Sequence, residues 1–232
     1  MRDPDQRDPG EPARAGPEAP GRKLERVLRE EVAIVPYDPA WPEAFRREKE
    51  HLLACLPVDL IRRIEHFGST AVPGLAAKPI VDMLVEVADL HSVRAFVVPI
   101  LEAQGYDYFW RPTAGDDTPP FYAWFIKRKP GTGERTHHIH MVEGGFAEHW
   151  ERLLFRDCLI ESPETARDYE ALKRRLASAF RTDRVAYARG KAAFIEHALE
   201  RAKHARRPLG TGPALGPPGG PGAAVPASRG GS

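Results

Sequence analysis

The 232-residue sequence predicts an α/β (α+β) domain built on a mixed β-sheet of about five or six strands with helices on one face. Apolar and polar residues alternate in the middle of the chain, as in strands, and apolar residues recur three or four positions apart after it, as in helices. Hydrophobic residues make up 42% of the chain, which is enough for a packed core. Strands followed by helices favour a mixed sheet covered by helices.

The two ends of the chain differ in composition from its middle. Residues 1–22 combine Pro, Gly, Arg, Asp and Glu with almost nothing to bury, and residues 206–232 are rich in Pro, Gly and Ala. We therefore expect a disordered N-terminal tail over residues 1–22, one folded domain over residues 23–205 and a disordered tail over residues 206–232.

Charge, targeting signals and cysteines restrict the class of protein. A formal net charge of +1 argues against long duplex nucleic acid as a partner, although local basic patches could still bind anions. We see no signal peptide and no stretch near the ~20 apolar residues of a membrane span, so we expect a cytoplasmic protein without a membrane partner. Cys55 and Cys158 are too few for a disulfide framework, and we expect both to be reduced.

The first half of the chain predicts four strands and two helices. Strands are expected over residues 32–35, 62–67 and 80–87, and a helix opens at the turn formed by residues 38–42. Residues 90–104 suit a second helix, which is followed by a short strand over residues 105–110 and a polar loop over residues 111–118.

The second half predicts a hairpin and then helices to the end. Strands over residues 121–128 and 136–143 flank a Pro/Gly turn. Ser162 is expected to cap a helix that has Pro163 at its first position. Two apolar stripes follow, the first at Tyr169, Leu172, Leu176 and Phe180, and the second, in one last helix, at Tyr187, Phe194, Ile195, Ala198 and Leu199.

The stretch from Arg63 to Asp82 contains the parts of a nucleotide and metal site. Gly68 allows a ligand to approach the backbone closely, and Ser69, Thr70 and the amides of this loop can bind phosphate oxygens. Asp82 lies on the polar face of its strand, where its carboxylate is a hard oxygen ligand suited to Mg²⁺ or Mn²⁺.

These residues resemble a known family. One pattern is similar to the nucleotidyltransferase superfamily signature: it consists of Gly-Ser, about a dozen further residues and then an aspartate on a strand. The wider sequence resembles the GrpB (UPF0157-type) family over residues 32–202. The segments that carry this resemblance are VPYDPAWP at 35–42, residues 66–82, HIHMVE at 138–143, LFRD at 154–157 and YEALK at 169–173. The resemblance implies a nucleotidyltransferase-like fold.

The chain departs from the superfamily pattern at one position. The pattern places a second carboxylate two residues after the first, where this chain has Leu84. Glu86, about 13 Å from Asp82 along a strand, is too distant to share an ion with it. Another strand must therefore supply ligands, or one metal ion suffices, or the domain binds nucleotide without transferring it.

The strand over residues 136–143 is the obvious second donor. His138 and His140 point to the face opposite Ile139 and Met141, so they could ligate one metal ion or contact a phosphate. A hydrogen-bonded pair of surface histidines is the alternative. His66, just before the Gly-Ser loop, is either a catalytic base or a structural histidine.

Four cations are candidates for offsetting phosphate charge, and salt bridges or a plain surface position are the alternatives for each. They are Lys78, Arg156, Lys173 and Lys191. The aromatic cluster of Phe121, Tyr122, Trp124 and Phe125 could stack a base, but core packing is favoured.

Three functions agree with these residues. The first is a metal-dependent nucleotidyltransferase that uses a nucleoside triphosphate and an unknown acceptor. The second is a non-catalytic nucleotide- or CoA-related accessory module, since GrpB-like domains also occur fused to dephospho-CoA kinases. The third is a metal-dependent phosphoesterase built on Asp82 and the two histidines. Turnover separates the first and third from the second.

Overall fold

The structure is a computed structural model that describes residues 30–113 and 119–206. The tail expected over residues 1–22 lies outside the described residues, as does the tail expected over residues 206–232 apart from Arg206, which ends the last helix. Residues 114–118 of the expected polar loop also lie outside them.

Five strands, six helices and one 3₁₀ turn make up the described chain. In order they are α1 (Trp41–Cys55), β1 (Ile61–Phe67), a 3₁₀ turn (Ser69–Ala71), β2 (Val81–Val87), α2, β3 (Asp107–Pro112), β4 (Phe121–Arg128), β5 (Arg135–Glu143), α3 (Ala147–Glu161), α4 (Pro163–Ala179), α5 (Arg184–Arg189) and α6 (Ala192–Arg206). Helix α2 has three consecutive parts, Leu90–Ser92, a π-helical Val93–Val97, and Val98–Ala103.

The strands form one mixed sheet in the order β1-β2-β5-β4-β3. Only the central pair, β2 with β5, is parallel, and the other neighbours are antiparallel. The predicted α+β class with a mixed sheet is confirmed, as is the hairpin of β4 and β5. The parallel pair juxtaposes two strands that are distant in sequence, and this places the site described below.

One face of the sheet packs on α1 and α2. Val81, Met83, Val85 and Val87 are at most 2% exposed and join Leu52 of α1 in the main core, so the predicted alternation of β2 is confirmed. Burying side chains of this size stabilises a fold by about 1.5–3 kcal/mol each. This face is therefore the principal source of stability.

The other face is covered only in part, and here the structure differs from the expectation of helices on one face. Trp150 and Leu153 of α3 pack against a second cluster on this face, which includes Phe67, Leu84 and Trp124. Helices α3, α4 and α6 also form a third cluster with the loop before β2. The reason is that Leu84 and Val142, on the face opposite the main core, are apolar and need cover.

Three predicted elements have different bounds. The strand expected over residues 32–35 is wrong, because only Val35 forms a β-bridge, with Ala77, and Pro36 then follows. Strand β3 begins at Asp107 because Gly105 occupies a left-handed turn, with φ at +86°. The single last helix is two, since Gly190 separates α5 from α6.

The predicted start of α4 is confirmed. Ser162 accepts a hydrogen bond from the Thr165 amide as an N-cap, with Pro163 at the first helical position. Among the described residues, neither Cys55 nor Cys158 forms a disulfide. Within the described ranges, none of the helices combines the length and apolar character needed to span a bilayer.

Candidate functional site

The parallel pairing of β2 with β5 brings the predicted ligands together. Asp82 is aligned with His138, and Leu84 is aligned with His140, so all four side chains share one face of the sheet. His138 and His140 are two residues apart, hence about 6.6 Å along β5. Pairing with β5 therefore places an imidazole beside Leu84, where the superfamily pattern has its second carboxylate.

Asp82, His138 and His140 form a triad, the name used below for these three residues. One ligand atom from each lies within 4.8 Å of the other two. His138 Nδ1 donates to Asp82 Oδ1 at 3.1 Å, and both histidines are 8% exposed. Asp82 keeps 29% of its side chain exposed. The predicted proximity of these three residues is thus seen, and their carboxylate remains accessible.

The loop after β1 closes tightly over the triad. Gly68 has φ at +73°, and a Cβ on it would lie 2.5 Å from Asp82 Oδ2. Thr70 is 1% exposed, and its hydroxyl donates to the Ile80 carbonyl at 3.4 Å. Ser69 and Thr70 both line the cavity described below, and the Ser69 side chain hydrogen-bonds with Tyr169.

Burial and neighbouring charges set the protonation of the triad. Burial lowers the pKa of His138 to about 4 and that of His140 well below its usual value. Burial would raise the pKa of Asp82, but the hydrogen bond from His138 and the charges of Lys78 and Lys191 outweigh it and lower the pKa. At neutral pH the triad therefore holds a carboxylate and two neutral imidazoles, the protonation states that ligate metals.

The donor set fits a divalent transition ion. Imidazole nitrogens suit first-row transition ions, whereas Mg²⁺ prefers oxygen donors. Two histidines and a carboxylate also make up the protein ligands of some catalytic zinc sites. Of the two ions expected from the sequence, Mn²⁺ therefore fits the triad better than Mg²⁺.

The triad opens into a cavity of about 1610 Å³. Its floor is the sheet, and its walls come from the loop around Ser69, from strands β3 and β4, and from helices α3, α4 and α5. The cations that line it are Lys78, Arg111, Arg135, Arg152, Lys173, Arg184, Arg189 and Lys191. The acidic lining residues are Asp82, Glu102 and Glu148. The near-neutral chain thus places eight cationic and three acidic side chains around this cavity.

Three of the predicted phosphate ligands, Lys78, Lys173 and Lys191, lie together in this wall and are called the lysine group below. Lys78 and Lys191 both lie over the Tyr187 ring, at 5.4 and 4.6 Å. Lys173 is 2% exposed and donates to the Ala76 carbonyl. Burial and then Lys191 lower the pKa of Lys78 and of Lys173 to about 7. An anion bound here would raise the pKa of both lysines and so restore their positive charge at neutral pH.

Two arginines of the same wall were not predicted. Arg135 pairs with Glu30 and places Nη1 3.4 Å from His138 Nε2. Arg184 donates from Nε to the Glu30 carbonyl at 3.0 Å. Glu30 thus holds both arginines in the cavity wall. Because these contacts join residues that are far apart in sequence, no local sequence pattern predicts them.

A second pair of arginines lies at the other end of the triad and is called the arginine pair below. Arg152 of α3 donates from Nη1 to His140 Nδ1 at 3.5 Å. Arg111 of β3 lies 4.6 Å from the centre of the Trp124 ring. Neither was predicted, because helical spacing alone does not show that α3 turns back onto the sheet.

Two predicted site residues lie away from the cavity lining. His66 is aligned with Met83 on the core face, stacks on Phe45 at 4.8 Å and hydrogen-bonds Thr70 Oγ1 at 3.0 Å. Arg156 donates to the His66 carbonyl at 2.8 Å and pairs with Asp157 at 2.7 Å. These contacts correspond to the structural alternative for each residue, and burial lowers the pKa of His66 to about 4.

The aromatic cluster of β4 divides between the two faces. Tyr122 and Trp124 line the cavity, with Tyr122 stacked on His140 at 5.4 Å. Phe125 is fully buried in the main core on the opposite face, and Phe121 stacks on Trp110 at 6.0 Å. The aromatic side of the cavity therefore holds the ring of His140 in place.

Comparison with known proteins adds a family and relatives. The profile described as GrpB protein matches residues 31–201. UPF0157 protein PA4798 of Pseudomonas aeruginosa is 39% identical over 192 residues, which cover 82% of this chain and 76% of that protein. The crystal structure of GrpB from Enterococcus faecalis superposes with a TM-score of 0.64 at 34% identity, over 75% of this chain and 98% of that one.

A relative of a different name is also similar. A dephospho-CoA kinase of Mycolicibacterium paratuberculosis is 30% identical over 195 residues, which cover 76% of this chain. The chain spans 47% of the length of that kinase, so the similarity concerns only part of it.

Proposed function

The chain belongs to the GrpB family, and on that premise we propose that it is a metal-dependent enzyme that transfers the nucleotidyl group of a nucleoside triphosphate to an acceptor. One observation carries the proposal: the triad converges in a cavity walled by lysines and arginines. Fixed cations and a metal at one point are what phosphoryl-group chemistry requires, since its catalysis is mainly positioning and charge stabilisation.

The resemblance of the Gly68–Asp82 stretch to the nucleotidyltransferase signature supports a nucleotidyltransferase-like arrangement of this loop and strand. Gly68 has no Cβ, so the loop backbone can lie directly against the Asp82 carboxylate, and Ser69 lines the cavity. Both features are those of a loop that holds a phosphate next to a metal ligand.

The lysine group would bind the triphosphate. All three lysines line the cavity, and the charge of Asp82 acts on Lys78 and Lys191. The pKa values of Lys78 and Lys173 are lowered to about 7 because both side chains are buried close to Lys191. Phosphate oxygens would raise the pKa of both lysines again, so binding would be accompanied by proton uptake. The mutual repulsion of these lysines is thereby exchanged for ion pairs.

The triad would hold the metal ion. Asp82 and the two histidines would provide its ligands, and a divalent ion there would supply Lewis-acid stabilisation of the charge on the reacting phosphate. Arg135 and Arg152 each lie within hydrogen-bond distance of one imidazole nitrogen, so an ion bound through these nitrogens would replace the two arginine contacts.

Calorimetric titration tests the proposal. The four ribonucleoside triphosphates are titrated with Mn²⁺, Zn²⁺ or Mg²⁺ into the wild-type chain, Asp82→Asn and the control Asp157→Asn, whose carboxylate pairs with Arg156 away from the cavity. We expect metal-dependent binding that Asp82→Asn weakens by at least about tenfold and the control does not. Binding that needs no metal and persists in Asp82→Asn would contradict the proposal.

Product analysis with α-labelled nucleotide then separates the reaction classes. Pyrophosphate together with a labelled adduct supports transfer, whereas a hydrolysed monoester indicates a phosphoesterase. Binding without any turnover favours an accessory module, a second candidate supported by Leu84, which is fully buried where a second carboxylate would be needed.

A further inference from the structure

The cavity is larger than one ligand needs. Ligand pockets commonly enclose about 300–1,000 Å³, whereas this cavity encloses about 1610 Å³ around a single triad. A nucleoside triphosphate on the lysine group would therefore leave part of the cavity to a second molecule.

The cations of the cavity lie at two ends of the triad. Lys78 comes just before β2, and Arg135, at the start of β5, contacts His138. Arg152 contacts His140, about 6.6 Å further along β5. Arg135 and Arg152 thus contact different imidazoles of the triad, so cations are available on both sides of it for two anions.

The arginine pair has no anionic partner in the described chain. Among residues 30–113 and 119–206, no carboxylate lies within ion-pair distance of Arg111 or Arg152; Arg152 instead lies beside His140 and 5.8 Å from the Phe67 ring centre. The carboxylates of Asp82 and Glu148 act on the Arg152 guanidinium only from longer range. A sheltered guanidinium without a counter-ion is costly, and an anionic ligand would offset that cost.

From these observations, and resting on the nucleotidyl transfer proposed above, we propose that the second ligand is a small phosphate monoester that binds Arg111 and Arg152 beside His140 and accepts the nucleotidyl group through its phosphate. The planar fork of arginine matches phosphate oxygens in pairs, which a lysine cannot do. The aromatic wall of Tyr122 and Trp124 flanks the same end and gives the rest of the ligand an apolar surface.

A phosphate acceptor also agrees with the position of His66. That histidine, the predicted base, is on the opposite face of the sheet. A hydroxyl acceptor would need a base, whereas a phosphate monoester, whose second pKa is about 6, is already ionised at neutral pH. The reacting oxygen then arrives without a proton to remove.

The proposed step transfers the nucleotidyl group to the phosphate of the acceptor. A monoester oxygen forms a bond to the α-phosphorus of the triphosphate, and the bond from that phosphorus to the oxygen bridging to the β-phosphate breaks. Pyrophosphate leaves with the electron pair of that bond. The product contains a new phosphate–phosphate anhydride between the acceptor and the nucleoside monophosphate.

The test uses the full chain with Mn²⁺, titrated with glycerol 3-phosphate, once alone and once after saturation with a non-hydrolysable α,β-methylene analogue of ATP. The variants are Arg111→Gln and Arg152→Gln. Arg94→Gln is the matched control, because Arg94 is exposed and lies 5.2 Å from the Trp110 ring without lining the cavity. Circular dichroism verifies that each variant is folded.

We expect each arginine variant to bind the monoester about tenfold more weakly, with a smaller effect on the nucleotide analogue and none in the control. Unchanged monoester affinity in both variants would overturn this inference and leave nucleotide binding standing. Equal losses for both ligands would overturn it too, since they would indicate a single subsite. If the analogue does not bind, the proposed function fails, and the titration without nucleotide still decides whether the arginine pair binds phosphate.

Discussion

Gly68 and Asp82 approach so closely that a Cβ on Gly68 would lie 2.5 Å from Oδ2 of Asp82. The residue also has φ at +73°, a conformation that other residues adopt with strain. Both restrictions act on the carboxylate of the triad, so the loop and the metal ligand depend on each other for their positions.

Substitution Gly68→Ala is therefore expected to weaken binding of Mn²⁺ or Zn²⁺ by at least about tenfold and to lower the free energy of unfolding by about 1–3 kcal/mol. Calorimetry and urea unfolding measure the two effects. Gly74→Ala is the control, because Gly74 has φ at +77° but open space around its Cβ position. It should lose stability alone, and a matching loss of metal affinity there would show that strain, rather than contact with Asp82, controls binding.

His149 predicts a pH-dependent stability. It is fully buried, neither ring nitrogen has a hydrogen-bond partner among the described residues, and burial lowers its pKa to about 3. The unfolded chain, with a His pKa near 6.5, binds the proton first as the pH falls, so this histidine removes stability between about pH 6.5 and 3.

In His149→Phe, the loss of unfolding free energy from pH 7.5 to pH 5 should be smaller than in the wild type by about 2 kcal/mol. Urea unfolding at the two pH values measures it. An identical pH dependence in the two proteins would mean that His149 is protonated or solvated in the native state.

Lys173 predicts a pH dependence of stability above neutral pH. Burial lowers its pKa to about 7, below the value near 10.5 of the unfolded chain. Between these values the unfolded state binds more protons, so this lysine makes stability rise with pH, by at most about 1.4 kcal/mol per unit. The difference in unfolding free energy between wild type and Lys173→Met should therefore grow in favour of wild type from pH 7 to pH 9. A constant difference would place the native pKa of Lys173 near its ordinary value.

A substitution of Glu48 tests whether the core face of the sheet affects metal binding on the opposite face. It is 3% exposed in α1, pairs with Lys127 and accepts a hydrogen bond from the Tyr106 hydroxyl at 2.6 Å, on the side of the main core. Glu48→Gln should cost about 1–3 kcal/mol of stability and leave metal affinity of the folded protein unchanged. A change in metal affinity would show that the core face transmits strain through the sheet to the triad.

Local patterns were sufficient to predict most of the fold and the triad. The alternation of β2 assigns Asp82 to the face opposite Val81 and Met83, and the same rule assigns His138 and His140 to one face of β5. What alternation cannot provide is the order of the strands. The parallel alignment of Asp82 with His138 is a tertiary contact, and only the structure reports it.

The unpredicted parts of the site depend on helix placement. Arg152 reads as one more charged residue of an amphipathic helix until α3 packs on the sheet beside His140. His66 shows the converse problem, since its position next to the Gly-Ser loop suggests a site residue, yet the pairing of β1 with β2 aligns it with Met83. Strand register, which sequence alone leaves open, decides such cases.

The parallel pairing of β2 with β5 also has a kinetic consequence. Asp82 and His138 are 56 positions apart in the chain, so their contact closes a long loop whose entropy must be lost before the pairing stabilises anything. An ion held by Asp82, His138 and His140 would therefore meet its full ligand set only late in folding. Such an ion would slow unfolding, which lengthens the lifetime of the native domain, and would leave the folding rate nearly unchanged.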